Sequence, residues 1–522
     1  MNPNIPRKST PADGFRRALL LGATGAALGQ LTGCGGGADT AAMRPLADSV
    51  LLNPDAAPGA GPALPVIPLD PGVADGAGGR LFTLVAQRGS TQMSGGVTTN
   101  TLGYNGAVLG PALRLRTGQN TKIRVQNDLG EVTTVHWHGL VVPADVDGGP
   151  HQAIQPGATW DADFTVSNPA STCWYHPHVH GSTGRQVVSG LAGLLIVEDP
   201  AIGPSVLPET WGVDDLALVL QDKRFTASGQ IDYTLTANEQ ITGYTGDRLL
   251  VNGVVGPVWQ APRQWVRLRL LNGCNARTLA LRLGNAAPML QIANEGGLLA
   301  TPVARSSVTL APGERAEVLV DFSSAAIGQQ TLLYASAASA GMDMGMGMGM
   351  GMGMGGATST SEVTALTMRV TIPRQPGAIA SPPATLPAAT AVMPGAGATV
   401  RSFTLDGGFM GSPFTLNGRS FNMNRIDLAI PAGTVEVWRF INATDMAHPM
   451  HVHGVQLSLL SRGGSTPAAY EQGLRDTFVV ESMQTVSVAV QMAAAASSVP
   501  LMVHCHILEH EDAGMMAQFV GV

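Results

Sequence analysis

Ten of the twelve histidines of this chain fall in four short clusters. They are His136-Trp137-His138, His176-Pro177-His178, His448-Pro449-Met450-His451-Val452-His453, and His504-Cys505-His506 followed by His510. Only His151 and His180 stand outside them. In an extended strand, residues i and i+2 point to the same face, so a His-x-His pair aims two imidazoles at one place. The pairs 136/138, 176/178, 451/453 and 504/506 supply eight imidazoles. Eight are too many for one ion and suit a cluster of several.

Cys505 lies between His504 and His506, so the same alternation turns it to the opposite face and to a separate metal. The partners available to it are His448, His510 and Met515. Two histidines, a thiolate and a distant thioether make a blue-copper electron-transfer site. Zinc fits less well, because no Cys-x-x-Cys pair accompanies Cys505 and the extra imidazoles exceed a structural zinc site. The backbone of Cys505 also joins its own site to the imidazoles on either side, a short path for electrons.

The rest of the chain reads as all-β. Glycine (65) and proline (35) are abundant and charged residues make up 13%, a balance that favours short strands and tight turns. Alternating segments recur at 81–85, 113–116, 121–125, 266–270, 316–320 and 435–439. A Pro/Gly turn, an alternating strand and then Asn repeat at 116–127, 261–272 and 430–442, about one domain length apart. Three similar β-sandwich domains are expected at 78–200, 201–375 and 395–522, with 373–400 as the second linker. The net charge of −7 gives no pointer to nucleic acid.

Residues 1–34 read as an export signal. Arg16-Arg17 precede an apolar run too short for an ordinary membrane span. The pair resembles a twin-arginine signal, the route for proteins exported already folded. Leu31-Thr32-Gly33-Cys34 resembles a lipobox, which would make Cys34 a lipid anchor and the protein a periplasmic lipoprotein. Residues 35–77 read as a flexible tether. Cys173 and Cys274 remain, either as a disulfide or as buried free thiols. Alternating Met and Gly over 342–354 reads as a mobile loop of thioethers, ligands that select Cu(I).

The four clusters resemble those of the multicopper oxidases, the family of laccases and bacterial copper-efflux oxidases. The matches are His136-Trp137-His138-Gly139, Trp174-Tyr175-His176-Pro177-His178, the 448–454 segment, and 504–515 ending in Met515. The resemblance implies three cupredoxin-like Greek-key domains with the cluster between the first and third. It implies four copper ions. His448, Cys505, His510 and Met515 would hold type 1 copper, and His136 and His451 type 2. His138, His176, His178, His453, His504 and His506 would hold the type 3 pair. Asp147 and Glu511 match the family's proton-supplying positions, and Asp445 and Met446 resemble a substrate-copper neighbourhood. The implied partners are O2 and a small reductant, Cu(I) or a phenol, with the protein a monomer.

Overall fold

The computed structural model describes residues 53, 59–94, 96–202, 206–338, 362–408, 411–492 and 496–522. Arg16-Arg17, Cys34 and the Met/Gly tract 342–354 lie outside the described residues. The described residues form six sheets. Two are built from strands between Leu69 and Glu198, two from strands between Asp215 and Ile372, and two from strands between Val400 and Gly521. Every alternating segment picked out in the sequence lies in a strand. Between each pair of sheets the inward faces form a core. Leu84, Val125 and Trp137 lie in the first, Leu268, Leu281 and Val318 in the second, and Trp438, Phe440 and Val488 in the third.

The sequence repeat has a structural counterpart. In each third of the chain the repeated strand pairs in parallel with an earlier one: Arg80–Gln92 with Asn120–Asp128, Asp215–Lys223 with Trp265–Asn272, and Val400–Asp406 with Val435–Asn442. The repeated asparagine then closes the strand in the same way each time. Its Oδ1 accepts from the backbone N–H two residues on, at Leu129 (3.0 Å), Cys274 (3.0 Å) and Thr444 (2.9 Å). Its Nδ2 donates to a carbonyl further round the turn, that of Glu131 (2.8 Å), Arg277 (2.8 Å) or Met446 (2.7 Å). It also donates across to Ile154, Leu310 and Val480. An Asn amide can serve one donor and two acceptors together, which explains its choice at a buried turn.

The expected tether is not free along its described part. Leu64 and Ile67 are buried. Leu64 N–H donates to the Val258 carbonyl (2.9 Å), and strand Leu69–Asp70 pairs with Ala112–Arg116. Prolines around these two apolar residues hide their pattern, because an extended Pro-rich segment has no helix or strand period. The second linker is pinned as well, through Leu386 N–H to the Ala300 carbonyl and Val392 N–H to Ser458 Oγ (2.9 Å each). Cys173 and Cys274 are both free and buried. Among the described residues no helix is long and apolar enough to cross a membrane.

Candidate metal centre

The four histidine clusters meet. Strand His448–Val452 pairs antiparallel with Leu501–Cys505, setting His451 opposite His504. His136 and His176 form a two-residue bridge of their own, each N–H donating to the other's carbonyl (2.8 and 3.2 Å). The second histidine of each pair lies just past the strand or bridge, where His138 and His453 begin turns. The imidazoles of a pair still share a face, and the residue between goes the other way. Trp137 fills the first core and Cys505 the third.

Two groups result. In the larger, Nε2 atoms of His178, His453 and His504 lie 3.0–3.3 Å from one another. His136 Nε2 is 3.3 Å from His451 Nε2, and His138 Nδ1 is 3.4 Å from His176 Nε2. His506 sits beside them, its ring centre 4.9 Å from that of His138 and 5.3 Å from that of His176. In the smaller group, Cys505 Sγ lies 3.6 Å from His448 Nδ1 and 3.5 Å from His510 Nδ1, with Met515 buried in the same core.

The outward nitrogens decide what the inward ones are. His136 Nδ1 lies 3.0 Å from the Asp147 carbonyl, His451 Nδ1 2.9 Å from that of Asp476, and His176 Nδ1 2.8 Å from that of Pro177. His504 Nδ1 lies 3.0 Å from the Cys505 carbonyl, and His453 Nδ1 2.8 Å from Asp147 Oδ2. His138 Nε2 is 3.1 Å from Asp476 Oδ1 and 3.0 Å from Thr477 Oγ1. A carbonyl or carboxylate can only accept, so each outward nitrogen carries the proton and each inward one is a bare lone pair. In the smaller group, His510 Nε2 donates to the Ile241 carbonyl (2.6 Å) and His448 Nε2 to Thr444 Oγ1 (2.9 Å), leaving both Nδ1 atoms bare toward the sulfur. Lone pairs facing one another at about 3 Å repel unless a cation lies among them. The donor set, imidazoles with one thiolate and a thioether, suits copper.

Burial keeps these rings neutral. It holds His178, His453 and His504 well below the usual histidine range, with neighbouring imidazoles adding to the effect. It brings His510 down to about 4 and His506 to about 3. The same burial pushes the Cys505 thiol up, so its thiolate needs a bound cation to exist there.

Two carboxylates sit directly behind the larger group. Asp147 touches His453 through Oδ2 and leaves Oδ1 buried without a partner. Glu511 is fully buried, its oxygens 3.2 Å from His178 Nδ1 and 3.4 Å from His504 Nδ1. Neither Glu511 approach is aligned as a hydrogen bond. Burial, with Asp512 beside it, pushes Glu511 well above the usual carboxylate range. Asp445 is exposed and Met446 half-buried against the third core.

The structure adds residues that spacing did not reveal. Asp476, behind His138, is held by both guanidinium nitrogens of Arg315 (2.7 and 2.6 Å). Arg315 in turn donates to the carbonyls of Thr172 and Gly313 (3.0 Å each). Gly139 (φ +94°) passes so close that a Cβ would come within 2.5 Å of Arg315 Nη2 and 2.6 Å of Asp476 Oδ2, which requires glycine after His138. Thr444 and Ile241 fix the smaller group. A lone Asp, Arg or Thr carries no spacing signal, although two charges before the apolar run Phe478-Val479-Val480 hint at a buried pair.

Two family models, both described as multicopper oxidase, match residues 85–202 and 396–522. The multicopper oxidase mco of Staphylococcus haemolyticus is 36% identical over 441 residues, covering 84% of this chain and 87% of that protein. The cell division protein FtsP of Xenorhabdus nematophila is 33% identical over 450 residues, covering 85% and 89%. Among solved structures, CueO, a bacterial laccase-like multi-copper oxidase from the lignin-degrading Ochrobactrum sp., superimposes with a TM-score of 0.78. It is 36% identical, over 88% of this chain and 100% of that one. McoA from Aquifex aeolicus gives 0.76 at 33% identity, over 88% and 99%. With an all-β fold of cupredoxin-like sandwiches, a converging imidazole cluster and relatives of this extent, the chain belongs to the multicopper oxidase family.

Proposed function

We propose that this protein oxidises a small reductant one electron at a time and delivers the electrons to O2. Cu(I) is its main substrate and phenols are additional ones. The observation that carries the reading is the position of Cys505, whose Sγ faces His448 and His510 while its chain neighbours His504 and His506 enter the larger group. On this reading His448, Cys505, His510 and Met515 hold type 1 copper, and His136 and His451 type 2. His138, His176, His178, His453, His504 and His506 hold the type 3 pair, between domains 78–200 and 395–522. Four bound copper ions would supply the one-electron redox chemistry and the four-electron reduction of O2 to water.

The chain's own part is to hold bare nitrogens inward and exclude solvent. It also has to bring protons, since the reaction consumes four. Asp147 and Glu511 are the residues we assign to proton supply. Each is buried against cluster imidazoles and has a carboxylate oxygen without a hydrogen-bond partner, free to take and give a proton. Soft thioethers in the 342–354 tract favour Cu(I), and exposed Asp445 with half-buried Met446 offers a carboxylate and a thioether beside Thr444. The Ochrobactrum enzyme's activity towards lignin model compounds supports the phenol side. We further propose export by the twin-arginine-like signal to the periplasm, with Cys34 as lipid anchor and a monomeric protein.

Relatives named as the cell division protein FtsP, a name that denotes no oxidase, are the reason to keep a second reading, a copper-binding protein without turnover. Oxygen uptake by the copper-loaded protein separates the two, because the second reading allows none with any reductant. The test compares Cu(I) with a dimethoxyphenol, with and without residues 342–354. Fast Cu(I) turnover that falls on deletion is expected. Fast phenol turnover, slow Cu(I) turnover and no effect of deletion would instead make this a laccase with a linker.

A further inference from the structure

We infer that Phe414 decides which electron donors this protein accepts, because it walls off the two imidazoles of the Cys505 site so that electrons enter across its ring. The inference rests on the type 1 reading of His448, Cys505 and His510.

The ring of Phe414 packs edge-to-face on His448, with centres 4.8 Å apart at 71°, and tilts against His510 at 4.5 Å and 44°. Among the described residues it is the one phenylalanine, tyrosine or tryptophan ring in contact with both imidazoles. His448 and His510 are 0% and 1% exposed, and Phe414 itself only 4%. Gly408 (φ +76°) lies against the same ring, so close that a Cβ there would come within 2.3 Å of Phe414 Cε1. Half-buried Ile241 and Met446 pack against the same core at its margins.

The imidazole edges are closed chemically as well. His448 Nε2 is taken by Thr444 Oγ1 and His510 Nε2 by the Ile241 carbonyl. A donor at the surface finds no free imidazole nitrogen to bond. One-electron oxidation of a phenol breaks its O–H bond, the electron going to the type 1 centre and the proton to water. Such a donor gains from close, oriented contact with the accepting group, and Phe414 denies it that contact. A compact donor that gives up an electron without a proton, Cu(I) or ferrocyanide, needs only proximity to the ring. The wall therefore selects for small outer-sphere donors and against substituted phenols.

The test uses Phe414→Ala and the milder Phe414→Leu in the full-length protein. In copper-free protein, diethylpyrocarbonate labelling read by peptide mass spectrometry reports access to His448 and His510. In copper-loaded protein without oxygen, bleaching of the blue thiolate absorption is timed with dimethoxyphenol and with ferrocyanide. Labelling and the phenol-to-ferrocyanide rate ratio should each rise about tenfold in the Ala variant, with Leu between. Variants that keep the blue absorption and the thermal unfolding of the parent but leave both quantities unchanged would overturn the inference. Absence of the blue absorption from the parent protein would overturn the type 1 reading and this inference with it. Labelling of His448 in the parent as fast as that of exposed His180 would overturn the wall alone.

Discussion

Asp476→Asn tests the support behind the imidazole cluster. The change keeps the shape of the side chain and removes its charge. In the parent, Arg315 makes two charge-assisted bonds to Asp476, and both residues are essentially inaccessible. Bonds to a charged group contribute about 1.5–3 kcal/mol each, and the Asn amide keeps one acceptor oxygen for the pair. Removing one partner of a buried ion pair costs about 3–5 kcal/mol, because the other charge stays desolvated. The one bond lost accounts for about 1.5–3 kcal/mol, and the charge left uncompensated on Arg315 raises the total to about 4 kcal/mol. For a cooperative unit of about 150–250 residues, that lowers the unfolding temperature by roughly 8–16 °C. His138 loses the carboxylate that fixes its proton on Nε2, and loss of such an outer partner weakens metal binding by about 10–100-fold. The assay pairs thermal unfolding with copper retained after dialysis against a graded chelator. The expected variant is destabilised and loses copper early while keeping the blue absorption of the separate Cys505 site. Asp163→Asn serves as control, because its ion pair with Lys122 (3.2 Å) is exposed and contributes at most about 1 kcal/mol. The reasoning fails if Asp476→Asn unfolds and releases copper like that control.

Glu511→Gln should slow oxygen uptake by about 10²–10⁴, the range for a lost proton donor, while anaerobic reduction of the blue absorption stays fast; equal slowing of both would refute its role in proton supply. Lys223 is fully buried, and burial lowers its pKa to about 8 while its Nζ donates to the Val188 carbonyl (2.6 Å). The unfolded chain, with an ordinary lysine near 10.4, binds more protons between about pH 8 and 10.4, so stability rises with pH across that window. The stability of the parent relative to Lys223→Met should therefore increase by about 3 kcal/mol from pH 8 to 10.5 in denaturant titrations, and a flat difference would refute it. Asn272→Ala removes three side-chain hydrogen bonds and should cost about 3 kcal/mol, and Asn442→Ala removes five and should cost more, about 5 kcal/mol. Only Asn442→Ala should also shift the blue absorption, because only its turn carries Thr444 to His448.

The histidine pairs were legible because a spacing of two along a strand is a strong signal, and Cys505 because it breaks that spacing by one. The three-fold repeat was legible through its asparagines, whose constant place reflects one hydrogen-bonding task. Other features were hidden for physical reasons. Asp476 and Arg315 come from remote parts of the chain and meet only once the sheets are packed. Phe414 looks in the sequence like any core aromatic, since nothing local says that its ring meets two imidazoles. Leu64 and Ile67 were masked by the prolines around them, so a docked segment read as a loose one.

The asparagine turn has a further consequence in its third copy. Asn442 holds the carbonyl of Met446 and the N–H of Thr444, and Thr444 Oγ1 receives the outward proton of His448. None of these bonds involves an ion. The orientation of His448 in the cage around Cys505 is thus set by amide and hydroxyl groups, in addition to anything a metal contributes. Two other castings of the same joint close strands elsewhere in the chain, away from the grouped histidines, so one hinge design serves twice as plain scaffold and once as the mount of a metal ligand.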